Sequence, residues 1–243
     1  KSSIRRVFVA MFALLVIIAS AFYPVSAQAA SLSSDVGKLE RYTEQLERTI
    51  HSRQLSKPYA LYNKTKRSYS ETKQRIERLK DGPVKQQYRE RLKKADRTIR
   101  QAAYYISAIE SGERLISLKS RIDQSLISGK VEVVYDVYPS FDEQLKKTKV
   151  LIQKVSGSVV RQKMTETYVR PAETTKQRAF YPMNIMLAFD EIISAYEQDD
   201  IEKAERLLRL CEKWLPYVKD ANAKTALNRY LADFEAPVIL EVQ

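Results

Sequence analysis

Residues 83–128 read PVKQQYRERLKKADRTIRQAAYYISAIESGERLISLKSRIDQSLIS, and their apolar side chains recur at alternating intervals of three and four. Tyr88, Leu92, Ala95, Ile99, Ala102, Ile106 and Ile109 form one row, which continues with a shift of phase through Leu115, Leu118, Ile122 and Leu126. That is the period of a helix lying along a partner, whereas a half-buried strand alternates every two residues. A long apolar row cannot be buried by its own helix, so the rest of the chain must bring helices to it. Ser128-Gly129-Lys130 reads as the turn that ends the segment.

The neighbouring stretches repeat the pattern. Leu39, Tyr42, Leu46 and Ile50 share one face, with Asp35 as a candidate N-cap and Pro58 beyond the end. Tyr62, Thr65, Tyr69, Thr72, Ile76 and Leu79 make a second row, stopped by Asp81-Gly82-Pro83. Val131 to Tyr138 is rich in β-branched residues that would also suit a strand. A weak echo between Gly129–Glu132 and Asp199–Glu202 favours helix there. Phe141, Leu145, Thr148, Ile152, Val155 and Val159 continue the alternation across Gly157, and Met164 and Tyr168 extend it. Pro171 suits the first turn of a helix carrying Ile185, Phe189, Ile192 and Tyr196, with Pro182 as a kink site. Ala204, Leu208, Cys211 and Leu215 mark the next helix, and Leu227, Leu231 and Phe234 the last. Glycine is scarce, five in 243 residues, and four of the five sit at breaks between rows. The expected fold is all-α, built of antiparallel helical bundles, with residues 30–128 as a first bundle and 129–243 as a second.

Residues 1–29 read as an export signal. Lys1, Arg5 and Arg6 precede an apolar run from Val7 to Ala19, and Ala27-Gln28-Ala29 offers the small residues of a cleavage site. The run is shorter than the roughly 20 residues of a membrane span, so no stable span is expected after cleavage. Loss of the signal lowers the formal charge from +12 to +9, still strongly basic. Outside the cell such a charge meets anionic wall polymers, acidic glycans and lipids rather than nucleic acid.

The charge is segregated. Residues 64–100 carry a net +9 and residues 144–178 a net +7, which leaves the remainder of the mature chain at −7. Lys85, Arg89, Lys93 and Arg97 recur every fourth residue and are expected to form a ridge that attracts a polyanion. Tyrosine accompanies the basic residues, and phenol rings stack on sugar faces while Arg and Lys hold acid groups. The heptad positions of Tyr62, Tyr69 and Tyr88 favour the core, whereas Tyr104, Tyr105 and Tyr168 are freer to contact a ligand. Arg170 stands next to the Tyr168-Val169 pair and joins the candidate contacts.

Catalytic and cofactor signatures are missing. His51 is the single histidine and reads as a surface residue at a helix end; Cys211 is the single cysteine and reads as core. No phosphate loop, nucleophile elbow or zinc spacing occurs, and Glu197, Asp199, Asp200 and Glu202 read as helix-start carboxylates rather than a calcium loop. The chain is expected to be no enzyme and to need no cofactor or metal. No recognition motif supports nucleic-acid binding, and nothing marks the carboxylate pair of a glycosidase.

Pro58-Tyr59-Ala60-Leu61-Tyr62-Asn63-Lys64-Thr65-Lys66-Arg67 with Tyr69, then Val160-Arg161, Asp200-Ile201-Glu202-Lys203-Ala204 and Trp214-Leu215-Pro216-Tyr217-Val218, occur in one order along the chain. Their succession resembles the helical N-terminal domain of the SbsC-type S-layer proteins of Gram-positive bacilli. The resemblance implies linked three-helix bundles and anchoring of the protein at the cell surface by an acidic secondary cell-wall polymer. It points to Tyr62, Asn63, Lys64, Lys66, Tyr69 and Arg161 as polymer contacts. The expected partner is therefore an anionic wall polymer or glycan. The rival reading is an extracellular helical scaffold that associates with itself and binds no glycan.

Overall fold

A computed structural model describes residues 30–235. The signal-peptide reading of residues 1–29 lies outside the described residues. Every regular element among the described residues is helical: α1 (residues 30–50), α2 (Tyr59–Glu77), α3 (Pro83–Ser128), α4 (Val131–Gln153), α5 (Ser158–Met164), α6 (Arg170–Glu197), α7 (Ile201–Trp214) and α8 (Ala221–Glu235). A π-helical turn, Thr165–Val169, joins α5 to α6, and a 3₁₀ turn, Leu215–Tyr217, follows α7. None of the described helices is long and apolar enough to cross a membrane.

The chain groups into two compact units that part between Ala103 and Tyr104, inside α3. This differs from the boundary read at Ser128–Lys130, which falls within the second unit. The apolar row of α3 runs unbroken past Ala102, so a change of partner helices leaves no mark in its periodicity. Gly129 does make a turn, with φ of +74°, but it joins two helices of one unit.

Unit 1 is a three-helix bundle of α1, α2 and the first part of α3. Leu32, Val36 and Leu39 of α1 meet Ile76 of α2 and Leu92 and Ala95 of α3, and Tyr69, Leu79 and Tyr88 pack against that cluster. Asp35 lies within α1 rather than at its cap and pairs with Arg75 of α2. Arg91 of α3 donates two hydrogen bonds to the Glu40 carboxylate, at 2.8 and 2.7 Å. Thr43 and Thr65 are buried with their hydroxyls bonded to carbonyls one turn back, which satisfies each buried hydroxyl.

Unit 2 begins with a second three-helix arrangement. Ser111 of α3 meets Thr148 of α4 at 2.8 Å, and Gln144 donates to the Ser111 hydroxyl and carbonyl at 2.7 and 3.0 Å, a polar cluster that fixes the register of the pair. Helix α6 lies along both, with Thr175 bonded to Asp123 of α3 at 2.9 Å and Lys149 of α4 paired with Glu173 at 2.5 Å. Helices α7 and α8 then pack on the later part of α6, where Phe189 meets Tyr230 and Phe234. Val131 to Tyr138 is helical, as the echo indicated, and Asp200 caps α7 by accepting from the Lys203 amide at 3.0 Å. His51 is exposed at the end of α1, its ring bonded to the Glu47 carbonyl at 2.8 Å. Cys211 is buried, and burial pushes its thiol up to about 11.

The π turn has a packing role. Its extra residue lets consecutive side chains, Tyr168 and Val169, both point inward. The Tyr168 ring lies directly against Gly112 of α3, and a Cβ there would overlap the ring. Gly112→Ala should therefore lower stability by about 1–3 kcal/mol, and in a Tyr168→Ala background, itself destabilised, the further cost of Gly112→Ala should largely vanish. Gly82→Ala, with open space around the site, should leave the thermal unfolding midpoint unchanged or slightly raised. Calorimetry on the three variants checks the assignment.

Candidate functional site

The basic residues of unit 1 separate into those that hold helices together and those that do not. Of the expected ridge, Lys85 is buried, donating to Asp81 at 2.9 Å and to the Glu77 carbonyl at 3.0 Å. Arg89 makes a fork on the Glu77 carboxylate at 3.0 and 2.5 Å, and Lys93 pairs with Glu90 at 2.8 Å. Only Arg97 of the four has no carboxylate within ion-pair reach among the described residues. The ridge is thus largely neutralised, and Lys85, Arg89 and Lys93 act as links of the α2–α3 hairpin and its flank. The acid that compensates Arg89 stands twelve residues away across the Asp81-Gly82-Pro83 turn, outside the three- and four-residue spacings by which a helix face is read.

The opposite holds on α2. Lys64, Lys66, Arg67 and Lys73 are exposed and make no ion pair with any described carboxylate. Three of them lie over phenol rings: Lys64 over Tyr42 at 4.4 Å, Lys66 over Tyr62 at 5.6 Å and Lys73 over Tyr69 at 5.7 Å. Tyr62, Lys66, Tyr69 and Lys73 follow one another at four, three and four residues, so they share a stripe of α2. Asn63 is exposed beside them. Next to this stripe, Asp35, Lys38 and Tyr42 of α1 with Lys64, Arg67, Ser68, Glu71 and Thr72 of α2 line a groove of about 160 Å³, and its Asp35 is paired with Arg75. Tyr62 and Tyr69 are half-buried, and Tyr69 packs against the unit 1 core. Lys38, Tyr42, Arg67 and Lys73 were not singled out from the sequence as contacts. The seven-residue recurrence of a Tyr four residues before a Lys, Tyr62 with Lys66 and Tyr69 with Lys73, is the signal that marks one of them, Lys73.

The candidates of unit 2 do not gather into a comparable surface. Tyr105 is 1% exposed and Tyr168 7%, so both belong to the core and neither is a ligand contact. Tyr105 falls between Ala102 and Ile109 on the inner face of α3, and Tyr168 extends the apolar row that ends in the π turn. Arg161 is half-buried and donates to the Val155 carbonyl at 2.9 Å, where it closes the end of α4. Tyr104 is exposed, with Lys154 over its ring at 5.9 Å, and Arg170 is exposed without an ion pair among the described residues.

Residues 43–173 match the protein family described as the SbsC C-terminal domain. The chain belongs to the SbsC family. An S-layer protein of Geobacillus stearothermophilus is 21% identical over 173 residues, covering 67% of this chain and 14% of the relative. The crystal structure of the N-terminal part of the bacterial S-layer protein SbsC superimposes with a TM-score of 0.73 at 18% identity, covering 84% of this chain and 53% of that one. The structure of surface layer protein SbsC, domains 1–6, gives a TM-score of 0.68 at 18% identity, covering 85% of this chain and 32% of that one. The helical architecture is therefore that of the SbsC helical domains. The family description says C-terminal, while the superimposed structure is an N-terminal part. The chain spans about one seventh of the length of the curated relative it matches.

The inter-helix carboxylates tie stability to pH. Hydrogen bonding from Arg91, partly opposed by burial, holds the Glu40 carboxyl below its ordinary range; Glu77 and Asp81 shift the same way beside Arg89 and Lys85. A carboxyl lowered in the folded state contributes stability that is complete above its unfolded value of about 4.3 and is lost as pH falls through the lower folded value. Glu40→Gln should cost up to about 1 kcal/mol at pH 7. Below pH of about 4 the difference from the parent should shrink toward zero. Urea unfolding at a series of pH values tests this, and a constant difference across the range would contradict it.

Proposed function

We propose that the chain is an exported, non-catalytic module of an S-layer type protein that holds an anionic wall polymer on the outer face of α2. The observation that carries this reading is the coincidence of cations of α2 outside any described ion pair with tyrosine rings of α1 and α2. Lys64, Lys66 and Arg67 make no ion pair with any described carboxylate, Lys73 stands near Glu77 and helps to lower its carboxyl, and the rings of Tyr42, Tyr62 and Tyr69 lie beneath Lys64, Lys66 and Lys73. A sugar acid needs both: a cation for the acid group and a ring for the less polar face of the pyranose. Asn63 adds an amide that can donate to or accept from a hydroxyl. The similarity to an S-layer protein agrees in class, since such a protein must be held to the wall that it covers.

Binding to a purified wall polymer should weaken steeply between about 0.1 M and about 1 M salt, as the screening length falls from about 10 Å to about 3 Å. Replacing Lys64, Lys66 and Arg67 together by Glu should reduce affinity by at least about tenfold, equivalent to about 1.4 kcal/mol. Arg89→Gln should change it less than about threefold, because that guanidinium already belongs to Glu77. Equal losses in the two variants, or binding indifferent to salt, would remove the basis of the reading.

Self-association is a second reading with its own observation. Phe180, Leu187 and Ile193 of α6 are each about half exposed, and Tyr217 more so. Apolar side chains in such number on one element suit contact with another copy. Sedimentation should show a rising mass with concentration, abolished by Phe180→Asp with Leu187→Asp.

A further inference from the structure

Building on the self-association reading, we propose that two copies of the chain pair face to face through α6 and α7, their α6 helices antiparallel about a two-fold axis beside Asn184. Lys203 of α7 pairs with Glu191 of α6 at 3.6 Å, and Tyr181 of α6 stacks on Tyr217, beyond the end of α7, with 5.1 Å between ring centres. The two contacts make α6 and α7 antiparallel neighbours. Lys203, Leu207, Leu210 and Trp214 recur at four, three and four residues, so they share the stripe of α7 on the side where Glu191 stands. Counting back from Glu191 by four, three and four, α6 presents Leu187, Asn184 and Phe180 on that side. Phe180 is 51% exposed, Leu187 48% and Tyr217 58%, while Leu207, Leu210 and Trp214 are half-buried. The hairpin therefore shows one continuous apolar face. Ile193, two residues from Glu191, falls on a different side of α6.

A second copy fits this face better than a charged ligand does. The charges that border it are already paired inside the chain: Lys176 with Asp142, Lys149 with Glu173 and Glu191 with Lys203. A polyanion gains little from such a rim, whereas an apolar centre inside a polar rim is the anatomy of a protein–protein contact. The α6 row also complements itself. Lys176, Phe180, Asn184, Leu187 and Glu191 stand four, four, three and four residues apart, so an antiparallel copy sets Phe180 against the partner's Leu187 and Lys176 against the partner's Glu191. Each pairing then occurs twice, as a two-fold contact requires. At both ends the charges alternate in sign, Asp142 and Lys176 of one copy followed by Glu191 and Lys203 of the other. A parallel copy in register would bring Lys176 to Lys176 and Glu191 to Glu191 instead. Lys149, Glu173, Lys176, Gln177 and Phe180 line an open groove of about 550 Å³, which leaves room beside the phenyl ring for the facing side chains. Residues 173–194 of α6 span about 32 Å, and two helices side by side are about 20 Å wide. A face of about 600 Å² per copy lies at the low end of specific contacts, so the pair forms weakly and with concentration.

Sedimentation equilibrium of the whole chain, combined with disulfide cross-linking, tests the pairing. The parent chain, whose one cysteine is the buried Cys211, gives the background. Asn184→Cys places a thiol beside the axis and should cross-link to its counterpart in the second copy under mild oxidation, with a dimer yield that grows with protein concentration. Ile193→Cys, exposed on the same helix but off the row, should stay at background. Phe180→Asp should raise the dissociation constant read by sedimentation at least about tenfold, about 1.4 kcal/mol, and should remove the Asn184→Cys dimer while leaving the helical circular dichroism unchanged. A mass that rises with concentration while Asn184→Cys cross-links no better than Ile193→Cys would overturn this geometry and leave self-association through another surface standing. A mass that stays at one chain up to about 1 mM, a concentration at which an association of about −4 kcal/mol is half complete, would overturn both.

Discussion

The fork of Arg91 on Glu40 joins α3 to α1 at the rim of the unit 1 core, and it exemplifies the constraint on which the rest of the molecule depends. A strongly basic chain can pack helices side by side only where each cation near a contact meets an acid. Arg75 with Asp35, Lys94 with Glu47, Lys176 with Asp142 and Arg178 with Asp220 obey the same rule. Individually such partly exposed pairs contribute little to stability. Their larger effect is on register, because a slip of one helix past another would separate several pairs at once and leave like charges facing. Acids are fewer than bases, so the rule cannot be satisfied everywhere. The surplus is left where helices do not touch, and that is why the outer face of α2 carries open cations.

How far the sequence shows this depends on the range of the interaction. The three-four rows are local, and they read correctly: α3 and α4 are helices where the alternation and the echo place them, and Asp200 caps α7. The parting of the units between Ala103 and Tyr104 is hidden because both sets of partners bury the same row of α3. The fate of the ridge is hidden for a related reason. Lys93 with Glu90 is visible at three residues, whereas Glu77 reaches Lys85 and Arg89 only because the hairpin folds back. A periodic line of cations records which side of a helix they occupy and says nothing of what the next helix presents to them.

The tyrosines illustrate the same limit from the apolar side. A Tyr at a heptad position is read as core and one off the row as exposed, yet Tyr62 and Tyr69 sit at the rim while Tyr105 is sealed. Helix α2 buries Thr65, Thr72 and Ile76, a narrow strip of modest volume, so side chains at its edges are only half covered. Helix α3 is flanked on several sides within unit 2, and its buried arc is wide enough to include two consecutive residues, Tyr105 and Ile106. The width of the apolar arc, rather than its centre, decides whether a phenol is a packing element or an available surface.

Under the proposed function, exposed cations on more than one helix, such as Lys64 of α2 and Arg170 of α6, bear on how such a chain would hold a repetitive polymer. A solvent-exposed lysine or arginine over a tyrosine gives a weak contact, of the order of a kilocalorie. A few of them amount to a dissociation constant in the millimolar range, about −4 kcal/mol. A tether cannot rest on one site of that strength. A wall polymer offers the same acid at every repeat, however, so once one surface is occupied the next acid is supplied at high effective concentration to any other surface within its reach. Coupling of that kind raises avidity by about a hundredfold to ten-thousandfold without a new contact. Under the proposed function each contact would stay individually reversible, so the protein would shift along the polymer without leaving it. A deep, enclosed pocket would give neither property, which is consistent with grooves that are shallow, cationic and built on helix faces instead of loops.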